Sequence, residues 1–302
     1  GRSKFATTGT VTVQPNADSF GMDVDSDFFD WNQNSQTMTG VTIGKPGNTV
    51  KITNNVVLEA AGPISIYGGK IDILSTLKSS ANGDIFLKAI NKINQGIYIN
   101  STITKSAGTG TLTMQAHSRV TVTNSGTINT SGSAVLNVVM WSDFDDDNDD
   151  GGVSHFGSIS TNGGHVWLGG SSSSGGSYTW NGLTVGDGPS IGSSGFNGNA
   201  LDLYGNVTTN GGHFLAWAGN GYGAGIDGIG SNGGLYVIDT GTTGTGDITL
   251  ITNAVDGSGT ESIKFQTSGV FTLAPNGGAF ASQFLWNPSA PSDSYEFPGG
   301  EF

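Results

Sequence analysis

An acidic run is the segment of this 302-residue chain best suited to chemistry. It reads DFDDDNDDGG, so six carboxylates fall within eight residues and repel one another unless a cation is present. Carboxylate and amide oxygens are the ligands that Ca²⁺ prefers. The candidate metal ligands are Asp143, Asp145, Asp146, Asp147, Asn148, Asp149 and Asp150.

Two registers within this run could bind Ca²⁺. Asp146, Asn148 and Asp150, followed by Gly151, fit the first half of a calcium loop, in which alternate oxygens converge on one hard cation. Neither register has a Glu at the twelfth position, so a modest affinity is expected. The second register consists of Asp143, Asp145, Asp147 and Asp149. The alternative to both registers is a solvated acidic loop that binds no cation.

Aromatic side chains form a second candidate site. Rings bordered by Asn, Asp and Gly can stack on sugars through their apolar faces, although the same rings could fill a core or cover inserted loops. His165 and His213 occupy equivalent places in two similar segments and are expected to belong to the scaffold. The candidate ligand-binding residues are Trp167, Tyr178, Trp180, Trp217 and Tyr222.

Composition excludes several classes of partner. The net charge is −13, which argues against nucleic acid and anionic membranes, because both need clustered Lys and Arg. No run of about 18 apolar residues is present, so no membrane insertion is expected. The chain has no Cys, which excludes disulfides and thiolate metal sites.

A repeated segment indicates how these residues are positioned. GTINTSGSAVLNVV, GSISTNGGHVWLGG and GNVTTNGGHFLAWAG begin at positions 126, 157 and 205, so their spacing is irregular but comparable. Each reads as a short strand, a corner of small residues and another short strand, with Ile128, Ile159 and Val207 at equivalent β-branched positions. Asn and Gly at the corners allow positive φ. Such units predict turns stacked along an axis.

The rest of the chain shows the same pattern of strands about five residues long, separated by Gly, Asn or Ser corners. We therefore predict an all-β fold, a single-stranded parallel β-helix (β-solenoid) with loop insertions, right-handed by the usual hand of parallel crossovers. The segment NGLTVGDGPSIG at 181–192 repeats the alternating pattern of TGVTIGKPGN at 39–48, which predicts another strand with one buried face there.

The two ends of the chain resemble each other. FATTGTVTVQPNADSF begins at position 5 and FQTSGVFTLAPNGGAF at position 265. Phe5, Gly9, Pro15 and Asn16 recur at positions 265, 269, 275 and 276, so the offset between the two segments is constant. This predicts one continuous solenoid over residues 1–302, with about 5–264 forming one long tandem repeat and 265–302 the start of the next.

The motifs TGVTIGKPGNTVKIT, AAGPISIYGGKIDI, ANGDIFLKA, VVMWSDFDDDNDDGG, ISTNGGHVWLGG, WNGLTVGDG and VTTNGGHFLAWAG resemble those of filamentous haemagglutinin-like giant bacterial adhesins. They cover most of residues 39–220. The resemblance implies a right-handed parallel β-helix on a secreted or cell-surface protein, with a role in adhesion or fibre formation. The implied partners are glycans, a host or neighbouring cell surface, and neighbouring repeats of the same chain.

The expected function is therefore a non-enzymatic structural and adhesive repeat segment of a large secreted bacterial surface protein. A carbohydrate-active β-helix enzyme, either a polysaccharide lyase or a hydrolase, is the alternative. Such enzymes need paired carboxylates, or calcium with a basic proton acceptor. No carboxylate pair recurs at repeated positions, and most of the 11 Lys and Arg residues precede residue 120, away from the acidic run in sequence.

Overall fold

The computed structural model describes most of the chain and contains no α-helix among the residues described. A single 3₁₀ turn, Ser26–Phe28, stands among the strands. The described residues are 3–4, 7–30, 38–92, 95–146, 151–192, 199–219, 226–227, 235–241, 245–253, 255–256, 262–278 and 294–297.

Three sheets run the length of the molecule, and the chain visits them in turn. The first sheet has ten parallel strands. Each strand pairs with the one that precedes it and the one that follows it along the coil, so every strand of this face belongs to a different turn. The strands are Thr10–Val13, Gly40–Ile43, Ile64–Gly68, Ile85–Ala89, Thr109–Ala116, Val135–Trp141, Val166–Gly169, Phe214–Trp217, Ile248–Ile251 and Phe271–Ala274.

The second sheet forms the next face of each turn. Its nine strands are all parallel. They are short because the chain turns a corner soon after each one. The strands are Val24–Asp25, Ile52–Asn54, Ile71–Ile73, Gly96–Ile99, Arg119–Val122, Gly152–His155, Leu201–Leu203, Ile226–Asp227 and Val255–Asp256.

The third sheet closes each turn. Its last strand, Ser294–Phe297, is antiparallel to Ser262–Thr267, whereas the others are parallel. Ser3–Lys4 and Phe29–Asp30 form a separate parallel pair. The remaining strands of the third sheet are Leu58–Ala60, Leu77–Ser79, Thr102–Lys105, Thr127–Thr130, Ser158–Ser160, Asn206–Thr208 and Leu235–Gly241.

The repeated passage through three parallel sheets confirms the predicted parallel β-solenoid. We call one circuit of the three faces a rung. Rungs differ in length: on the first sheet the register partner of Ile64 on the following rung is Ile85, that of Val138 is Val166, and that of Val166 is Phe214. The last of these rungs is the longest because it carries an insertion. The right hand of the coil remains a prediction.

Aliphatic side chains form columns inside the coil. Ile128 is paired with Ile159, and Ile159 with Val207, on three successive rungs of the third sheet. All three side chains are buried. The equivalence of the three repeated segments is therefore confirmed, and the spacing from one segment to the next is the length of one rung in each case.

The predicted corners adopt the predicted backbone conformation. Asn162 and Gly163 have φ values of 51° and 95°, and Asn210 and Gly211 have 53° and 105°. Asn and Gly reach this left-handed region more easily than other residues, which explains their presence at these bends.

The segment 181–192 contains a strand with one buried face, Leu183–Gly186, but this strand does not belong to the three sheets of the coil. Ser177–Trp180 and Leu183–Gly186 form an antiparallel hairpin that leaves the coil. Its two-residue turn, Asn181–Gly182, has positive φ at both positions, as a type I′ turn requires. The resemblance to residues 39–48 lies in the alternation of apolar residues, which suits either kind of strand. None of the described helical residues forms a segment long and apolar enough to cross a membrane.

One histidine lies in an aliphatic column. His155 is fully buried on the second sheet, between Val122 and Leu203 of the neighbouring rungs. Within the described part of the chain, neither ring nitrogen has a hydrogen-bond partner. Burial lowers the pKa of His155 from 6.5 to about 4, because the charged ring would lose its hydration.

We predict that His155→Leu removes part of the acid sensitivity of the fold. The pKa of His155 is lower in the folded chain than in the unfolded chain, so protonation favours unfolding. The free energy of unfolding is therefore unaffected by His155 above pH 6.5 and falls as the pH is lowered towards 4. The loss should amount to about 3 kcal/mol of unfolding free energy in the wild type. Denaturant unfolding at several pH values measures it. Parallel stability curves for wild type and variant would contradict this interpretation.

Candidate functional site

A second apolar cluster lies outside the coil, on the outer face of the first sheet. Alternate residues of a strand point to opposite faces, so Val139, Trp167 and Leu215, which are register partners, point away from the core. The hairpin covers them with Leu183 and Val185. We call this group the outer cluster. It comprises Val139, Trp141, Trp167, Leu183, Val185 and Leu215, with Phe144, Trp180 and Trp217 packed against it.

Close packing fixes the hairpin on this face. The Trp141 indole N–H donates to the Ser171 hydroxyl at 2.7 Å, at the start of the insertion. A Cβ at Gly186 would lie 1.9 Å from the Gly170 carbonyl oxygen and 2.6 Å from Trp141 Nε1. The second hairpin strand therefore approaches the sheet at a distance that only glycine permits.

The aromatic residues predicted to bind a ligand differ in their exposure to solvent. Trp167 is fully buried, so its ring is not exposed to a ligand in this arrangement, and its predicted role in binding is not supported by its position. Its apolar area is covered by the hairpin. Tyr178 is 36% exposed, and Trp180 and Trp217 are half-buried. Tyr222 lies outside the described residues.

The three accessible aromatic residues border the outer cluster. The rings of Tyr178 and Trp217 meet edge to face at 6.5 Å between centroids. The Trp217 indole N–H donates to Asn276 Oδ1 at 3.0 Å, which fixes that ring. Burial raises the pKa of Tyr178, and the neighbouring Trp167 partly offsets this effect. Fixed, partly exposed aromatic rings can stack on the apolar face of a sugar.

A line of polar side chains runs along the first sheet from rung to rung, near the beginning of its strands. Each member directly precedes an inward-facing residue, and its side chain meets the next rung. Asp84 Oδ1 accepts the Thr111 N–H at 2.8 Å, and Asn137 Oδ1 accepts the His165 N–H at 2.9 Å. Asp247 Oδ1 accepts the backbone N–H of the following rung at 2.8 Å. We call this line the polar ladder. It consists of Asp84, Thr111, Asn137, His165, His213 and Asp247.

Two imidazoles continue the polar ladder. His165 Nδ1 accepts the His213 N–H at 2.9 Å, and His213 Nδ1 accepts the Asp247 N–H at 3.0 Å. The two rings stack at 5.0 Å, and Trp180 meets both edge to face. A ring nitrogen accepts a hydrogen bond only when it carries no proton, so each of these two bonds requires an unprotonated Nδ1. His213 Nδ1 also lies 3.4 Å from Asp247 Oδ2. The expected scaffold role of both residues fits these bonds.

The acidic run starts inside the fold. Asp143 is fully buried and has a φ of 48°. A Cβ at Gly151 would lie 2.7 Å from the Asp143 Cβ, so a side chain at 151 would displace it. The side chain of Asp143 therefore belongs to the interior and not to a solvated loop.

Asp145 is engaged by basic residues of earlier rungs. Its Oδ2 lies 3.2 Å from Lys92 Nζ and 3.2 Å from His117 Nδ1. Phe144 stacks on His117 at 6.0 Å, and Lys88 Nζ lies 4.1 Å from the centre of the Phe144 ring. Sequence reasoning missed these neighbours because they are distant along the chain. The signal that could have found them is the length of a rung, which places residues of successive coils side by side.

These contacts bear on the two calcium registers. Asp143 is buried and Asp145 is engaged by Lys92 and His117, which disfavours the register that contains both. The register of Asp146, Asn148 and Asp150 remains a prediction, with Asp146 partly exposed at a φ of 53°. Residues 147–150 lie outside the described part of the chain. Among the residues described, no group of three or more His, Asp or Glu could hold a metal ion.

We predict that calcium binding, measured by calorimetry, depends on Asp146 and not on Asp145. Asp146→Asn should weaken binding on the order of tenfold, because it removes a charged ligand. Asp145→Asn is the matched control and should instead lower the melting temperature, because it removes the partner of Lys92 and His117. Equal losses in both variants would contradict the assignment, and no heat with the wild type would leave a solvated acidic loop.

We also predict that His165→Asn/His213→Asn reduces acid destabilisation. Burial, followed by the charge of His213, lowers the pKa of His165, so protonation favours the unfolded chain. The hydrogen bond that His165 Nδ1 accepts is present above the ordinary pKa of 6.5 and is lost as the pH falls below it. Asn keeps an acceptor, as Asn137 does, but does not titrate. Melting curves between pH 7 and 4, recorded in a His155→Leu background, measure the change. An unchanged pH slope would contradict a role for the imidazole acceptors.

No protein-family model matches this chain, and neither the curated proteins nor the solved structures gave a match. Its function must therefore be inferred from the coil, the outer cluster and the polar ladder.

Proposed function

We propose that the chain is a non-enzymatic structural segment of a large secreted bacterial surface protein, a stiff stalk with an adhesive face. The observation that carries this proposal is the unbroken first sheet, in which ten strands pair in parallel from Thr10 to Ala274. Nine steps between adjacent strands, at about 4.8 Å each, give a length of about 43 Å.

Stiffness follows from the way in which the rungs are joined. Bending the axis would stretch hydrogen bonds on at least one of three faces and open the aliphatic columns inside. The polar ladder adds side-chain bonds at a corner, where the backbone alone leaves N–H groups without strand partners. A segment of this kind holds other parts of a protein at a fixed distance.

The adhesive face that we propose is the rim of the outer cluster. Tyr178, Trp180 and Trp217 lie at its border with solvent, beside the stacked imidazoles of His165 and His213. Partly exposed aromatic rings next to hydrogen-bonding side chains suit glycans, and the net charge of −13 disfavours polyanions. A glycan of a host or neighbouring cell surface is the proposed partner.

A panel of neutral and acidic polysaccharides tests this function. The wild-type chain should bind at least one of them without releasing products. Tyr178→Ala and Trp180→Ala should each weaken binding about tenfold, the equivalent of ~1.4 kcal/mol of lost stacking. Phe28→Ala is the matched control, since Phe28 is 49% exposed on the first rung, away from the hairpin.

Two results would contradict the proposal. Release of shorter oligosaccharides would favour the carbohydrate-active enzyme instead. Binding that is weakened equally by Phe28→Ala would show that the rim of the outer cluster is not the adhesive face.

A further inference from the structure

We propose that consecutive copies of the repeat block, residues 5–264, form one uninterrupted solenoid with a period of nine rungs, and are not joined by a flexible linker. The partner of each end of the block is thus another copy of the same block. This inference rests on the proposed role as a stalk. It is carried by the positions that the two similar segments, near residues 5–20 and 265–280, take in the fold.

The similar segments supply the two outermost strands of one sheet. Thr10–Val13 lies at one edge of the first sheet and Phe271–Ala274 at the other, with eight strands between them. Equivalent residues are therefore separated by nine steps, a whole number of rungs. A chance similarity would not be expected to fall on the same face of the coil.

The turn before each strand is also the same. The Gly9 N–H donates to the Thr7 hydroxyl at 2.9 Å, and the Gly269 N–H donates to the Thr267 hydroxyl at 2.9 Å. Both pairs are related by the offset that relates the two similar segments. The sequence similarity therefore extends to an identical hydrogen bond.

The two strands present equivalent faces. Val13 and Leu273 are partly buried and pack against the core. Thr12 and Thr272, at the intervening position, are both exposed. The strand Phe271–Ala274 is thus suited to receive a following strand in the way that Thr10–Val13 receives Gly40–Ile43.

The third sheet gives an independent indication. Ser3–Lys4 corresponds to Ile263–Lys264 at the same offset, and it pairs in parallel with Phe29–Asp30. In a continuing array, Phe29–Asp30 of the next block would pair in the same way with Ile263–Lys264. In the present structure that edge is occupied by Ser294–Phe297, which pairs antiparallel.

Two consequences follow from a whole-number period. Each block extends the axis by about 43 Å, the length of nine strand spacings. The hairpin and the outer cluster recur on the first-sheet side of every block, offset only by the twist of the coil. Glycan-binding faces would therefore repeat along one side of the stalk at that interval, which favours multivalent binding.

A two-block chain tests the joint. Residue 264 of the first copy is followed directly by residue 5 of the second, which keeps the predicted phase. Small-angle scattering should show a rod whose maximum dimension exceeds that of the single chain by about 43 Å. The control joins two full chains, residue 302 to residue 1, which leaves Ser294–Phe297 on the third-sheet edge and should give two segments at variable angles.

A cross-link provides a second measurement. The chain has no Cys, so Lys264→Cys in the first copy and Asp30→Cys in the second are the only thiols. Continuous pairing predicts that they form a disulfide, as register partners do. A folded two-block chain that forms no disulfide and scatters as two hinged segments would overturn the inference. The single chain would still show glycan binding without product release, so the proposed function would be tested separately.

Discussion

The structure depends on in-register pairing between successive rungs. Each backbone group that points along the axis needs a partner on the next rung, because an unpaired buried peptide group costs more than a hydrogen bond contributes. Parallel strands meet this need only if each rung returns to the same register, whatever the length of its loops. The rung from Val166 to Phe214 includes an insertion of many residues, yet its first-sheet strands still pair residue for residue. Register thus constrains the faces, while corners vary freely in length.

The corners impose a second requirement, because strand pairing is interrupted there. Positive φ at Asn162 and Asn210 lets the chain bend. Near these corners, side chains of the polar ladder accept the backbone N–H groups of the next rung. The polar ladder shows that chemically different side chains can accept the same kind of hydrogen bond. A carboxylate, an amide and two imidazoles each accept an N–H from the following rung. This variety makes the stability of the ladder depend on pH, since the Nδ1 acceptor of His165 is lost on protonation.

Much of the fold could be predicted from sequence, because alternation and Gly-rich corners report local backbone geometry. The stacking of Ile128, Ile159 and Val207 followed directly from the repeats. Less of the candidate site could be predicted. The burial of Trp167 could not be predicted, because it depends on the hairpin that covers the outer face of the first sheet. Apolar alternation at 181–192 indicates a strand, but it does not show whether the partner of that strand lies on the next rung or in a hairpin. Side-chain contacts between rungs could not be predicted from the sequence either. The ammonium group of Lys105, for example, is buried and donates to the Ser79 hydroxyl and to the Gly83 carbonyl of the preceding rung, at 2.9 Å each.

Rung-on-rung pairing can be tested most directly by cross-linking in this cysteine-free chain. Ser160 and Thr208 are distant in sequence but are register partners on adjacent rungs, whereas Ser160 and Asp239 are two rungs apart. Adjacent strands lie about 4.8 Å apart, within the range that a disulfide spans, and strands two rungs apart are about twice as distant. Mild oxidation should therefore link Ser160→Cys to Thr208→Cys and leave Ser160→Cys/Asp239→Cys reduced. Failure of the first pair to form a disulfide in the folded protein, or equal linkage of both pairs, would contradict the stacked parallel coil.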